Sequence, residues 1–172
     1  MNEELSDSIL SICKTLSKHS VEYLVVGGVA VALHGYFRQT TNAEGVLADK
    51  LDFDFWYNPT YKNYFNLLDA LEEFGQDVEE YKNEQTPFPL QSFFKLEFEK
   101  YTLDFLPEVN GLTKFITSFK ERELININKM EISFLNYRDL IKSKQANARP
   151  KDLNDIFNLE RLRKKTRNSA SI

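Results

Sequence analysis

Residues 51–57, LDFDFWY, set Asp52 and Asp54 two positions apart inside an otherwise apolar run. Side chains alternate along a β-strand, so both carboxylates share one face while Phe53 and Phe55 share the other. Aspartate is depleted from strands. Its recurrence here therefore asks for a strand packed on a core through one face and open to a polar site on the other. Two like charges on neighbouring same-face positions repel unless a cation lies between them. A hard divalent ion such as Mg²⁺ or Mn²⁺ is the usual answer, and the pair reads as half of a metal site.

The whole chain bounds that reading. With 172 residues, 42% of them hydrophobic and 28% charged, the expectation is a single domain, 1–172, with a core of ordinary size. No apolar run is long enough to span a bilayer, and the opening MNEELSDSIL lacks the basic start and apolar centre of a signal peptide. A cytoplasmic location with no membrane partner is expected. Cys13 is the sole cysteine and His19 and His34 the sole histidines, which excludes an internal disulfide and a cysteine-based zinc cage and disfavours a His-rich metal site. Any metal here must be held mainly by oxygen. A net charge of −4 argues against binding nucleic acid through bulk electrostatics. The charge is uneven, however: between Arg138 and Arg167 ten basic residues stand against four acidic ones. A solvated helix face and a phosphate- or RNA-facing surface both fit that run.

Leu5, Ile9, Ile12 and Leu16 follow helical spacing and predict an N-terminal helix over about 3–19. VEYLVVGG then reads as a short buried strand running into Gly27 and Gly28, and VAVALHG as a helix stopped at Gly35. Residues 36–50 show no period and read as a loop. After the 51–57 strand, Thr60 is placed to cap a helix that runs to Phe74 and stops at Gly75. SFFKLEFEKYTLDFLP predicts two strands, 92–98 and 101–106, joined at Glu99-Lys100. ELININ and MEISF predict a hairpin around Asn128-Lys129, and helices are expected over 136–146 and 150–165, with a disordered tail over 166–172. Strands bracketed by helices at both ends make the chain α+β.

Chemistry is suggested at three places. Asp104 sits between Leu103 and Phe105 as Asp54 sits between Phe53 and Phe55, so three strand carboxylates could converge on one or two metal ions. Solvent-face aspartates of half-buried strands would carry the same pattern. Gly27-Gly28 ahead of a helix lets a phosphate approach bare backbone at a helix N-terminus, although a simple tight turn needs glycine as well. In KSKQANARPKDLNDI, Lys142, Lys144, Arg149 and Lys151 could reach a polyphosphate. Alternatively, Pro150 merely opens a helix whose dipole Asp152 complements.

In that order, YLVVGGVAVALHGYFR, LDFDFWYNPTYKNYFNLLDALEEFG and TLDFLP resemble the DNA polymerase β-type nucleotidyltransferase superfamily: a glycine turn opening a helix, an acid pair on the next strand, a third acid on a later strand. LIKSKQANARPKDLNDIFNL is similar to the closing segment of the small bacterial branch that holds the abortive-infection (AbiEii-like) toxins and the minimal nucleotidyltransferases. The resemblance covers about residues 20–160. It implies a nucleotidyltransferase-like fold, with a mixed, mostly antiparallel central sheet flanked by helices and a C-terminal helical segment over 135–165.

It also implies metal-dependent transfer of a nucleoside monophosphate from an NTP to an acceptor hydroxyl, with release of pyrophosphate. Asp52 and Asp54 would bind both metals and Asp104 complete the site and prepare the acceptor hydroxyl. Gly27 and Gly28 would contact the triphosphate, with Lys142, Lys144 and Lys151 as phosphate contacts, Lys151 foremost because it lies in the RPKD match. A tRNA end, a protein hydroxyl and a small molecule are the acceptors the resemblance leaves open, and an antitoxin-type protein is a possible partner. One departure stands out, since TTNAEGVLADK lengthens the path from glycine turn to acid pair. A non-catalytic nucleotide-binding or interaction module of the same fold, or a toxin–antitoxin component whose activity a partner restrains, is the alternative left open.

Overall fold

The computed structural model describes residues 3–37 and 50–169. Helix α1 (Glu3–Lys18) turns Leu5, Ile9, Ile12 and Leu16 inward, as their spacing requires. Strand β1 (Tyr23–Val25) follows, then helix α2 (Gly27–Leu33) and strand β2 (Leu51–Tyr57). Helix α3 (Tyr61–Glu73) starts where the Thr60 side chain accepts a hydrogen bond from the Asn63 backbone N–H, and the chain leaves it through Gly75 at φ +88°. A short helix α4 (Glu79–Asn83) and a 3-10 turn (Pro89–Gln91) lead into β3 (Phe94–Glu97) and β4 (Tyr101–Leu106). Helix α5 (Phe115–Lys120) precedes the hairpin of β5 (Glu123–Ile127) and β6 (Met130–Phe134), and α6 (Tyr137–Asn147) and α7 (Pro150–Ser169) close the chain.

The strands form a six-stranded sheet in the order β3-β4-β2-β1-β6-β5. β3 with β4, β2 with β1 and β6 with β5 are antiparallel, whereas β4 with β2 and β1 with β6 are parallel. The architecture is α+β with a mixed, mostly antiparallel sheet. Asn128 and Lys129 both take positive φ, +50° and +67°, which is the tight turn whose twist suits a two-residue hairpin.

Two cores lie against the sheet. One gathers Phe53, Phe55, Tyr57, Leu103 and Phe105 with the apolar sides of α1 and α3. The other, on the opposite face, gathers Leu24, Trp56, Ala30, Val31, Phe115, Leu140 and Leu159, which belong to the sheet, α2, α5, α6 and α7. The alternation in β2 therefore decides where its carboxylates go: Asp52 and Asp54 share the face of Trp56, the α2/α5/α6/α7 side.

The predicted elements hold with edges shifted by a residue or a few, except at the C-terminus. There α7 continues to Ser169 in place of a tail beginning at 166. TRNS contains neither Pro nor Gly, and the Thr166 hydroxyl donates back to the Leu162 carbonyl at 3.2 Å. Helices α4 and α5 were not expected, because five or six residues give too little periodicity to read. The predicted loop and the TTNAEGVLADK insertion fall almost wholly on 38–49, outside the described residues. Among the described residues no helix is long and apolar enough to cross a membrane.

Candidate active site

Parallel pairing brings β2 and β4 into a register that sets Asp54 beside Asp104, Asp52 beside Thr102 and Trp56 beside Leu106. Along this face the environment grades from core to solvent. Trp56 is buried, its ring edge-on to Phe115 and its indole N–H donating to the Pro107 carbonyl at 2.9 Å. Asp54 and Asp104 are half-buried at the rim, and Asp52 is exposed, accepting a 2.7 Å hydrogen bond from the Thr102 hydroxyl. The sequence alone suggested solvent-facing carboxylates throughout; the second core reaches far enough along the strands to desolvate two of them.

The glycine turn lies directly over this row. The Val26 N–H donates to the Asp54 carbonyl at 2.9 Å, and the chain then turns through Gly27 at φ +62°. A Cβ at Gly27 would overlap the Asp54 carboxylate, Oδ2 first. Glycine is needed here both for the left-handed backbone and for this close approach. Gly28 follows in the first turn of α2. Gly27→Ala is expected to cost on the order of 1–2 kcal/mol from the backbone alone, with more from the overlap. Denaturant unfolding measures it, and a silent Gly27→Ala would show that the turn is not held against Asp54.

Electrostatics mark the same carboxylates. Burial, then the charges of Asp104 and Asp52, push Asp54 up from the ordinary 3.8 to about 6, against the opposing pull of Lys144 and Lys151. Asp104 is also raised, chiefly by burial, with Lys95 opposing the shift and Asp52 and Glu97 adding to it. Its Oδ1 is buried without a hydrogen-bond partner. A buried, unpartnered carboxylate oxygen next to a second carboxylate is what a bound cation would relieve. The donors are hard oxygens and suit Mg²⁺ or Mn²⁺ in kind. Among the described residues no three His, Cys, Asp or Glu side chains already converge as a ligand group, so the three aspartates form an open row that would leave much of an ion's coordination to other oxygens.

The basic segment divides. Lys144 is 4% exposed, and its ammonium donates to Asp152 at 3.0 Å and Asp155 at 2.9 Å, both fully buried. This corrects its placement among the phosphate contacts: α6 and α7 close on each other through Lys144, and its charge reaches Asp54 only at a distance. Arg149 donates to Asp152 from Nε at 2.6 Å while its side chain stays about half exposed, and the Asp54 charge is felt there too. Lys151 is partly exposed at the start of α7 and acts on Asp54. Lys142 is exposed, and nothing in the described contacts brings it to the acids. Thr102 and Lys95 were missed from sequence: Thr102 meets Asp52 through the long-range β2–β4 register, whereas Lys95 follows from the predicted Glu99-Lys100 turn. Counting back through that turn pairs Lys95 with Asp104.

No protein-family model matches the sequence, and no curated protein matches it. Among solved structures the chain is similar to an antigenic nucleotidyltransferase-like protein from Paracoccidioides brasiliensis, with a TM-score of 0.50, 13% sequence identity, and 94% of this chain and 77% of that one covered. The fold is nucleotidyltransferase-like. At that identity the likeness speaks for the fold alone, and it does not single out the abortive-infection branch. On this nucleotidyltransferase-like fold the acid row and the glycine turn occupy one corner, where β2 and β4 meet the start of α2.

Proposed function

We propose that the protein is a metal-dependent nucleotidyltransferase that moves a nucleoside monophosphate from an NTP to an acceptor hydroxyl. The observation that carries this is the register of Asp54 beside Asp104 under the Gly27 turn, on a fold shared with a nucleotidyltransferase-like protein. Nucleotidyl transfer needs positioning and charge neutralisation rather than a nucleophilic side chain. Asp54 and Asp104, with Asp52 oriented by Thr102, are the residues that would hold Mg²⁺ or Mn²⁺. When bound, the ion supplies charge neutralisation on the triphosphate oxygens.

Gly27 and Gly28 present backbone without side chains to the phosphates, and Lys151 stands on the same side with no hydrogen bond or ion pair among the described residues, beside an Arg149 already paired with Asp152. The acceptor oxygen forms a bond to the α-phosphorus as the α–β P–O bond breaks and pyrophosphate leaves. Asp104 takes the hydroxyl proton, the role the family resemblance assigns to it. The likeness of residues 140–159 to the closing segment of the abortive-infection branch supports placing the chain near that branch, on sequence alone.

Incubation with each radiolabelled NTP, Mg²⁺ and total cellular RNA and protein tests the reading. Label is expected to move onto an acceptor and to require the divalent ion. Mg²⁺-dependent NTP binding with no transfer to any fraction would instead favour a nucleotide-binding module without turnover.

A further inference from the structure

Asp54, Asp104 and Lys95 form one line across three adjacent strands, Asp54 paired with Asp104 and Asp104 with Lys95. The two sides of this line differ. Beside Asp54 stand β1 and the Gly27 turn, and the charges of Lys151 at the start of α7 and of Arg149 just before it, itself paired with Asp152, interact with the Asp54 charge. Beside Asp104, among the described residues, stands the edge strand β3, which has β4 as its one strand neighbour. Lys95 and Glu97 are exposed on it, and Phe93, the residue before it, is 49% exposed while Phe94 is buried. Lys95 makes no hydrogen bond or ion pair among the described residues, although its charge acts on Asp104.

We propose that the β3 side of the acid row is the acceptor subsite, and that Lys95 selects an acceptor carrying a phosphate close to the hydroxyl to be modified. This rests on the nucleotidyltransferase reading above. The donor triphosphate is drawn to the side where Lys151 and Arg149 stand, which leaves the open β3 side for the second substrate. The floor on that side is acidic at Asp104, Asp52 and Glu97, so an anionic acceptor would be repelled without a counter-charge. Lys95 is the basic residue that β3 sets directly beside Asp104. An ammonium on a flexible stem is a good point-charge partner for phosphate. Adjacent strands lie about 4.8 Å apart, so a hydroxyl at Asp104 and a phosphate at Lys95 are separated by roughly the distance between two substituents of one sugar. Phe93 offers an exposed ring for a base to stack on. The shared chemistry is a phosphorylated sugar, which a free nucleotide and the 3′ end of an RNA strand both provide.

The experiment compares transfer to an oligoribonucleotide with a free 3′ hydroxyl, a nucleoside 5′-monophosphate and a polycationic aminoglycoside, using wild type, Lys95→Glu and Lys95→Arg. Mg²⁺-dependent binding of a fluorescent NTP analogue is measured separately. Label should go to a phosphate-bearing acceptor, and which of the first two receives it separates strand end from free nucleotide. Lys95→Glu should raise the KM for that acceptor about tenfold or more with NTP affinity within about twofold, and Lys95→Arg should stay near wild type because the charge is kept. Transfer to the aminoglycoside alone, an acceptor KM untouched by Lys95→Glu, or an equal loss of NTP affinity would overturn the proposal. No transfer to either phosphate-bearing acceptor would do so too. The parent reading fails separately, if Asp54→Asn leaves Mg²⁺-dependent NTP binding intact.

Discussion

Asp54→Asn is expected to abolish NTP-dependent labelling and at the same time to make the metal-free protein more stable at pH 8. The two effects have one cause. Asp54 is pushed up to about 6 by burial and by its two neighbouring carboxylates, so above that pH the native state carries a charge its surroundings resist. A folded-state pKa above the unfolded value of 3.8 means that the native state binds more protons between the two. Stability therefore falls as pH rises through that window and stays reduced above it. Asparagine removes the charge, and the gain should be on the order of 1–3 kcal/mol above about pH 6, shrinking to nothing below about pH 4. Added Mg²⁺ should reverse the ranking by stabilising wild type and leaving Asp54→Asn unmoved. Thermal melts at pH 4 and pH 8, with and without Mg²⁺, read all of this. If Asp54 were only a solvent-face residue, the variant would melt with wild type under every condition. Stability given up at a site that needs clustered charge is the usual mark of function.

Much of this site could be read from the sequence because strand alternation is a rigid code. Once LDFDFWY is a strand, Asp52 and Asp54 must share a face, and the same holds for Asp104 between Leu103 and Phe105. The meeting of Asp54 with Asp104 could not be read that way. It depends on parallel pairing between β2 and β4, strands joined by more than forty residues, and register at that range is set by packing rather than by any turn. Lys95 is the opposite case, since the Glu99-Lys100 turn fixes its partner locally. Gly27 was legible as a turn residue; what the turn presses against was not. Lys144 was misplaced because a lysine two residues from Lys142 on a helix lies about 200° around the axis from it. One points outward, while the other meets the buried carboxylates of α7.

That burial gives the second large effect. Lys144→Met should cost about 3–5 kcal/mol, the usual result of removing one partner from a buried ion pair. For a chain of this size the loss corresponds to about 10 °C in Tm. Methionine fits the aliphatic stem, so the loss would come from charge: Asp152 and Asp155 would remain without access to water, Asp152 with Arg149 still beside it. In the wild type burial by itself would raise Asp152, but the hydrogen bonds from Arg149 and Lys144 override it and hold the carboxyl below its ordinary range. A depressed folded-state pKa gives stability that is present above the unfolded value and lost as pH falls through the folded one. The penalty of Lys144→Met should accordingly be full at pH 7 and shrink below about pH 4, where Asp152 can protonate. Lys151→Met is the control. Lys151 has no buried partner in the described contacts and its charge acts on Asp54, so its loss should leave the melt near wild type and weaken NTP binding. If Lys144→Met instead weakened NTP binding with no change in the melt, Lys144 would belong with the triphosphate and not between α6 and α7.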